Sequence, residues 1–130
     1  MREIKFRGKR IDTGEWVYGF YTKIAVNFGQ NDVIMEQTKG GSFVPQFIDI
    51  KTLGQFIGIP DKNGKEIYEG DITRHHYHDL TVKWVWGDRI VQFYGVERDG
   101  AEKYYFGFDS KYLEVIGNIH DNPELLEVEK

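Results

Sequence analysis

Apolar and polar residues alternate along most of the chain, and an alternation with a period of two is typical of β-strands. Residues 4–7 alternate Ile and Phe with Lys and Arg. After a turn at residues 12–14, the aromatic residues Trp16, Tyr18 and Phe20 occupy every second position. The two segments therefore predict a first β-hairpin, with the aromatic side chains facing inward and the cations facing outward.

The same alternation continues through the rest of the chain. Residues 32–38 and 42–50 flank the glycine-rich residues 39–41, which predicts a second hairpin. Pro45 lacks a backbone N–H and marks its strand as an edge strand or a bulged one. Further strands are predicted at residues 55–59, 82–86, 90–96, 104–108 and 113–119, with turns at Gly87-Asp88 and Asp99-Gly100. About eight to ten short antiparallel strands at this spacing predict a mainly β fold of the sandwich or barrel kind.

Two short helical turns interrupt the predicted strands. Residues 49–53 are expected to form one turn that ends at Gly54. Asn122 is expected to cap a short tail helix that has Pro123 at its first position.

The composition narrows the class of protein. A chain of 130 residues fits one domain, residues 1–130, and 15 glycines with 15% aromatic residues suit short strands and tight turns. The absence of cysteine excludes a disulfide framework, a thiol nucleophile and a thiolate metal site. There is no apolar run of secretory-signal or membrane-span length, so a cytoplasmic location without membrane contact is expected.

Charge is distributed unevenly, although the net charge of −4 does not favour nucleic acid as a partner. Residues 1–10 carry five cations and one anion, and residues 121–130 carry four anions and one cation. Lys5, Arg7 and Lys9 share one face of the first predicted strand. They are candidate contacts to a single-stranded nucleic acid, and the alternative is an amphipathic strand with solvated cations.

Self-association is predicted from the same features. An open, mainly β chain leaves strand edges that must be covered or paired. The oppositely charged ends can orient a contact between copies, and the apolar residues Leu125, Leu126 and Val128 can dock on a neighbour. A homo-oligomer is therefore expected.

The acidic stretch GIPDKNGKEIYEGDIT, residues 58–73, raises the question of a ligand loop. An EF-hand that started at Asp61 would need Gly at position six and Glu at position twelve, but Gly64 and Ile72 stand at positions four and twelve. A phosphate-loop pattern is absent as well. The spacing therefore disfavours both calcium and phosphate.

Two interpretations of this stretch remain. Glu69 and Asp71 would share a face in an extended segment, and paired carboxylates can perform acid–base chemistry, so a small hydrolase is an alternative function. The structural interpretation makes Asn63-Gly64 the centre of a type I′ hairpin turn. A second turn would follow, in which Gly70 adopts positive φ and Asp71 accepts backbone N–H groups.

A run of histidines invites a metal interpretation. His76 and His78 would face the same way in a strand, and His75, Asp79 and the distant His120 could add ligands. Three histidines without cysteine and without a third and fourth ligand at the usual spacing do not define a zinc site, so no metal is expected.

The sequence QFIGIPDKNGKEIYEGDI, residues 55–72, resembles the signature of the YopX family, Q-F/Y-T-G-L-x-D-K-N-G-K-x-I-Y-E-G-D-I/V. Residues 2–7 resemble the family's N-terminal strand, and residues 114–126 resemble its C-terminal box. Ile57 stands in place of the usual Thr, Ile59-Pro60 replaces Leu-x, and residues 75–88 have no counterpart in the pattern.

The resemblance implies a mainly β fold with a small Src-homology-type barrel part, and no established activity. We expect a non-enzymatic accessory protein of phage or prophage type in the host bacterial cell. It would need no cofactor and would act through self-association and through binding a phage or host protein. The positions that match the family motifs are assigned structural or interaction roles: Gln55, Gly58, Asp61, Asn63, Gly64, Tyr68, Glu69, Gly70, Asp71, Gly117, Asn118, Asn122 and Pro123. No catalytic residue is assigned.

Overall fold

The computed structural model describes residues 4–27, 29–75, 80–87, 92–97, 104–105 and 112–126. The described residues are mainly β and form antiparallel ladders, which confirms the predicted fold class. The chain divides into two compact units, Met1–Phe56 and Ile57–Lys130, which we call unit 1 and unit 2. The assignment of residues 1–130 to a single domain stays a prediction.

Unit 1 is built from four antiparallel strands, two of which change partners along their length. They are β1 (Phe6–Arg10), β2 (Trp16–Val26), β3 (Gly29–Gln37) and the first part of β4 (Phe43–Pro60). Residues 16–19 of β2 pair with β1 and residues 20–26 pair with β3. Residues 43–47 of β4 pair with β3, and β4 then pairs with β1. The strand pairing thus returns to β1, so the four strands form a ring. This ring corresponds most closely to the barrel part that the family resemblance predicted.

A glycine marks the point where β2 changes partners. A Cβ atom on Gly19 would lie 2.1 Å from the carbonyl oxygen of Met35, so only glycine permits this close approach of β2 to β3. The core of unit 1 lies beside it and consists of buried Val17, Ile34 and Ile48. From β2, Val17 is buried in this core and Tyr21, four residues later on the same face, packs against it.

The predicted helical turn at residues 49–53 is wrong, because β4 continues through it as a strand. The register with β1 shifts here, since Arg7 pairs with Gly54 whereas Lys9 pairs with Asp49. The Thr52 hydroxyl donates to the carbonyl of Asp49 at 2.6 Å and accepts the Lys9 N–H at 2.8 Å. The polar residues that favoured a helical turn instead stabilise a bulge, because the ladder on either side holds the backbone extended.

Unit 2 continues from the end of β4 into β5 (Glu66–Tyr68) and a second antiparallel sheet. Its strands follow the order β10-β6-β7-β8-β9, with β6 (Asp71–His75), β7 (Leu80–Gly87), β8 (Gln92–Glu97), β9 (Tyr104–Tyr105) and β10 (Leu113–Asn118). Ile57, Ile67, Trp84 and Leu113 form the buried core. The Trp84 indole N–H donates to the Thr73 hydroxyl at 2.9 Å, so the one polar group of this tryptophan is satisfied inside the core.

The tail helix is confirmed as a 3-10 helix, Pro123–Leu126. The described residues include no helix with the length and apolarity that crossing a membrane requires. The predicted turn at Asp99-Gly100, the turn residue Asp88 and the aromatic positions Phe106 and Phe108 lie outside the described residues.

Candidate functional site

The acidic signature stretch is organised around one buried carboxylate. Asp61 is 4% exposed. Its Oδ1 accepts the backbone N–H groups of Asn63 at 2.8 Å and Lys65 at 2.9 Å, and its Oδ2 accepts that of Val115 at 3.0 Å. Burial raises the pKa of Asp61, but the three N–H bonds together with the Lys65 charge outweigh burial and hold that pKa below its ordinary value. Asp61 thereby fixes its own turn and joins it to β10.

The turn is not of the predicted type I′. That turn needs positive φ at two central residues, whereas Gly64 has a φ of +81° and Asn63 has no positive φ. The Gly64 N–H donates to the Asp61 carbonyl at 3.0 Å, which gives a type I turn followed by a left-handed glycine. The difference arises because the Asp61 carboxylate holds the backbone N–H groups on both sides of Gly64.

The second predicted turn of the signature, at Gly70, is confirmed. Because the chain turns there, Glu69 and Asp71 do not lie on one face of an extended strand, as the hydrolase alternative expected. β5 ends before Glu69, and Gly70 turns the chain with a φ of +92° before β6 begins at Asp71. Asp71 is buried, and its Oδ2 accepts the Tyr68 N–H at 2.8 Å. The two carboxylates therefore do not stand side by side on one strand, and that of Asp71 accepts a backbone hydrogen bond.

Gly70 also connects neighbouring strands of unit 2. Its N–H donates to the Trp84 carbonyl at 2.8 Å, and its own carbonyl accepts the Ile119 N–H at 2.9 Å. The signature turn is thereby held from β7 and from the segment that follows β10.

The C-terminal motif forms a compact polar turn. The Asn118 Oδ1 accepts the N–H groups of His120 at 3.0 Å and Asp121 at 2.9 Å. The Asn122 Oδ1 accepts the Asn118 N–H at 3.3 Å. A Cβ on Gly117 would lie 2.6 Å from that same Asn122 oxygen, so a larger residue here would displace the Asn122 side chain from the Asn118 N–H. These motif residues, like those around Asp61, build backbone geometry.

The remaining motif residues have structural positions as well. Gln55 pairs with Phe6 in the β4–β1 ladder, and Gly58 has a φ of +100° within β4. Tyr68 is buried, and its hydroxyl donates to the Glu66 carboxylate at 3.0 Å. None of these geometries excludes a further interaction role, which stays a prediction.

The histidine run falls largely outside the described residues. His76, His78 and Asp79 are among the residues left undescribed, and His75 closes β6 opposite Leu80 and Leu113. The described part of the chain holds no group of three or more His, Cys, Asp or Glu that could bind a metal ion. The absence of a metal therefore stays a prediction.

The predicted basic stripe lies on the aromatic side of the first hairpin. Arg7 is opposite Tyr18 and Lys9 is opposite Trp16 in the ladder. The Arg7 guanidinium carbon lies 4.4 Å from the centre of a Trp16 ring, and the Lys9 Nζ lies 5.4 Å from it. Arg7 is only 4% exposed, so its charge is stacked and buried where a solvated cation was expected.

Two of the three aromatic residues predicted to face inward, Tyr18 and Phe20, do not. Tyr18 and Phe20 are 41% and 46% exposed, because the alternate residue Val17 faces the core. β2 is apolar on both faces, so its alternation could not show which face is buried.

These aromatic residues line an open groove of about 370 Å³ on unit 1, which we call the aromatic groove. Its apolar lining comes from three strands and the segment before β1: Ile4, Tyr18, Phe20, Met35 and Phe43. Phe43 is 49% exposed, and its ring centre lies 5.3 Å from that of Phe20. Lys5 is the charged residue of the lining. The groove was missed in the sequence, since Phe43 and Phe20 are brought together only by the pairing of β3 with β4 and β2.

The protein is therefore all-β. Its signature motif forms turns that are held by buried hydrogen bonds, and its exposed aromatic residues line a separate groove. The family model described as YopX protein matches residues 5–127, and the chain belongs to the YopX family. The crystal structure of protein EF1440 from Enterococcus faecalis is similar, with 23% sequence identity and a TM-score of 0.56 over 98% of this chain and 100% of that chain. This likeness shows the fold alone. No curated protein matches the chain.

Proposed function

We propose that this YopX protein is a non-enzymatic accessory protein of phage or prophage type in the bacterial cytoplasm. It acts by self-association and by binding another protein through the aromatic groove. The observation that carries the proposal is the pair of exposed rings, Phe20 and Phe43, which contact each other in an open groove.

Exposed aromatic clusters of this kind favour protein partners. Large exposed apolar patches mark interaction sites, and aromatic anchors supply much of the energy of protein interfaces. Burying one such side chain completely contributes about 1.5–3 kcal/mol, so Phe20 and Phe43 give a partner a substantial gain. The acidic motif residues support a non-enzymatic role, because the carboxylates of Asp61 and Asp71 are buried and accept backbone N–H groups.

Weak single-strand nucleic-acid binding is the second candidate. Arg7 lies opposite Tyr18, and Lys9 lies opposite Trp16, in the β1–β2 ladder. This arrangement favours nucleic-acid binding, because proteins that bind single strands combine cations with stacking aromatic rings. The burial of Arg7 and the net charge of −4 weigh against it. We expect binding of a labelled oligonucleotide to be weak and lost with salt. Tight binding at physiological salt that Lys5→Glu with Lys9→Glu abolishes would reverse the ranking.

The proposed function is tested by capture from infected or lysogenic bacterial cells and by light scattering coupled to size exclusion. The groove variant Phe20→Ser/Phe43→Ser is compared with the control Ile11→Ser/Ile50→Ser, whose residues are exposed on unit 1 outside the groove lining. We expect the wild type and the control to retain self-association and one defined captured protein, and the groove variant to lose them. Equal behaviour of all three proteins would contradict a role for the groove.

A further inference from the structure

The turn between β4 and β5 carries an Asn-Gly pair. Asn63 is the one asparagine of the sequence that precedes a glycine. Asparagine is among the thermally labile residues of proteins, and a following glycine increases this lability, because a residue without a Cβ leaves its own backbone nitrogen unhindered. Both residues are exposed, and a Cβ on Gly64 would have nothing within 4 Å, so water reaches this peptide bond. The pair is therefore a candidate site of spontaneous deamidation.

The reaction uses the backbone nitrogen of Gly64 as its nucleophile. This nitrogen loses its proton and attacks the Asn63 Cγ, the bond from Cγ to Nδ2 breaks, and ammonia leaves. Water then opens the resulting five-membered imide. Opening at Cγ gives aspartate in an ordinary backbone, whereas opening at the backbone carbonyl carbon gives isoaspartate, in which the chain runs through the side chain. One water is consumed and one ammonia is released, so no oxidant or cofactor takes part.

In the folded turn, Asp61 holds the backbone N–H groups of three successive residues. The N–H groups of Asn63 and Lys65 donate to the Asp61 Oδ1 at 2.8 and 2.9 Å. The N–H of Gly64 donates to the Asp61 carbonyl oxygen at 3.0 Å. The attacking nitrogen is therefore already hydrogen-bonded, and the peptide that joins Asn63 to Gly64 cannot rotate toward Cγ without breaking these bonds.

Asp61 is itself firmly held. It is 4% exposed, and its Oδ2 accepts the Val115 N–H from β10 at 3.0 Å. Releasing the Gly64 nitrogen therefore requires the turn to open locally, and a local opening of this kind costs less free energy than global unfolding.

We propose that Asn63 is a deamidation site that the Asp61 turn controls: the reaction is blocked while the turn is closed and proceeds when the turn opens. The inference goes beyond the proposed function and is independent of it, because it rests on unit 2, whereas the aromatic groove lies in unit 1.

The isoaspartate product does not fit the closed turn. It inserts an additional backbone atom between residues 63 and 64, which moves the N–H groups of Gly64 and Lys65 away from Asp61. The aspartate product keeps the backbone but adds a carboxylate two residues from that of Asp61, and a like charge disfavours the ionised form of the buried group. The reaction therefore makes an opening of the turn irreversible.

The first experiment compares the folded chain with a peptide of sequence IPDKNGKEI, residues 59–67, in the same mildly alkaline buffer. Chromatography with mass spectrometry of the fragment that contains Asn63 separates the aspartate and isoaspartate products from the starting material. We expect deamidation of the folded chain to be slower than that of the peptide by about tenfold or more. In denaturing urea the chain and the peptide should react at the same rate.

The second experiment removes the control by Asp61. In Asp61→Ala the rate should approach that of a peptide with the same substitution, whereas the control Asp12→Ala, in a turn of unit 1, should keep the slow rate of the wild type. Circular dichroism checks that each variant is folded. Asp61→Asn keeps the shape of the side chain and replaces an acceptor oxygen with a donor, so it tests the same point if Asp61→Ala does not fold.

Each part of the inference has an outcome that would overturn it. A folded wild type that deamidates as fast as its peptide would overturn protection by the turn. A peptide that releases no more ammonia than its Asn63→Gln counterpart would overturn Asn63 as the labile residue. Folded Asp61 variants that react as slowly as the wild type would overturn control by Asp61. All three outcomes leave the proposed function of the aromatic groove standing.

Discussion

Unit 1 and unit 2 differ in which side chains they expose and in which polar residues they bury. Among the described residues, unit 1 exposes nine large hydrophobic side chains, whereas unit 2 exposes Ile116 and Ile119. Unit 2 buries four polar residues, namely Asp61, Asp71, Thr73 and Asn118, against Arg7 and Thr52 in unit 1. Three of these four are positions of the family motif. The signature residues therefore maintain the backbone of unit 2, while the aromatic groove lies in unit 1, outside the motif.

Buried carboxylates and exposed aromatic rings have different energetic consequences for the protein. A buried carboxylate costs free energy unless hydrogen bonds satisfy it, and the Asp61 carboxylate is satisfied by three backbone N–H groups. A half-exposed aromatic ring is only partly covered by the folded chain, and its remaining apolar surface is stabilised when a partner covers it. Substitutions in unit 2 should accordingly change stability, and substitutions in the aromatic groove should change association.

The largest effect is expected for Asp61→Ala in unit 2. The change leaves the N–H groups of Asn63, Lys65 and Val115 without their acceptor, and we expect the free energy of unfolding to fall by about 4 kcal/mol. Urea denaturation measures this loss of stability. The control is Asp12→Ala, which removes a solvent-exposed pair with Arg10 and should leave the stability nearly unchanged. Equal losses in the two variants would contradict the structural role of Asp61.

The counterpart in unit 1 is Gly19→Ala. The new Cβ would lie 2.1 Å from the Met35 carbonyl oxygen, so β2 and β3 must separate, and we expect a loss of about 3 kcal/mol. Gly29→Ala, whose Cβ would lie 3.8 Å from its nearest neighbour, serves as control. A stability of Gly19→Ala equal to that of the control would show that the partner change of β2 does not depend on glycine.

The signature turns are tested by Gly64→Val and Gly70→Val. Both glycines have positive φ, so we expect each change to cost about 2 kcal/mol in backbone strain. Gly64 has open space around it, so its loss measures strain alone, whereas a Cβ on buried Gly70 would lie 3.6 Å from Ile119 and His120 and the larger Val side chain adds crowding. Gly40→Val is the control, because Gly40 lies in a turn without positive φ. Thermal midpoints of both variants that match the control would refute the structural interpretation and favour a ligand role for the loop.

The pH dependence of unfolding should differ between the units. The pKa of Asp61 is lowered in the folded chain, so its contribution is present above its ordinary value of 3.8 and is lost as the pH falls further. In unit 1, the Tyr21 hydroxyl donates a hydrogen bond to the Asp32 carboxylate at 2.5 Å. This bond raises the pKa of Tyr21 above its ordinary value of 10.0. Its contribution is present below that pH and is lost as the pH rises through the raised pKa. Asp61→Asn should flatten the acid limb and Tyr21→Phe the alkaline limb, each without changing the other.

The smallest effect on stability is expected for the groove itself. Phe20→Ser and Phe43→Ser each remove a ring that is about half exposed, so we expect the free energy of unfolding to fall by about 1 kcal/mol per substitution. The measurement is urea denaturation at a concentration where the chain is monomeric. A loss above 2 kcal/mol would show that the two rings belong to the core of unit 1.

The alternation of the sequence determined the strands, because a period of two is a local property. The hairpins around residues 12–14 and 39–41, the turn at Gly70 and the tail helix after Asn122 all follow from nearby residues. The motif residues determined the family, and with it the fold class. Those predictions needed no knowledge of which strands meet.

Three outcomes were decided only by the tertiary structure. The segment after Asp49 stays extended because β1 pairs with β4 on either side of it. The turn at Asn63 is not type I′ because Asp61 holds its N–H groups, and Asp61 is in turn bound by Val115, far along the chain. Tyr18 faces outward although β2 is apolar on both faces, because the pairing of the four strands places Val17 in the core. In each case local preferences were nearly balanced, and distant strand pairing supplied the free energy that decided between them.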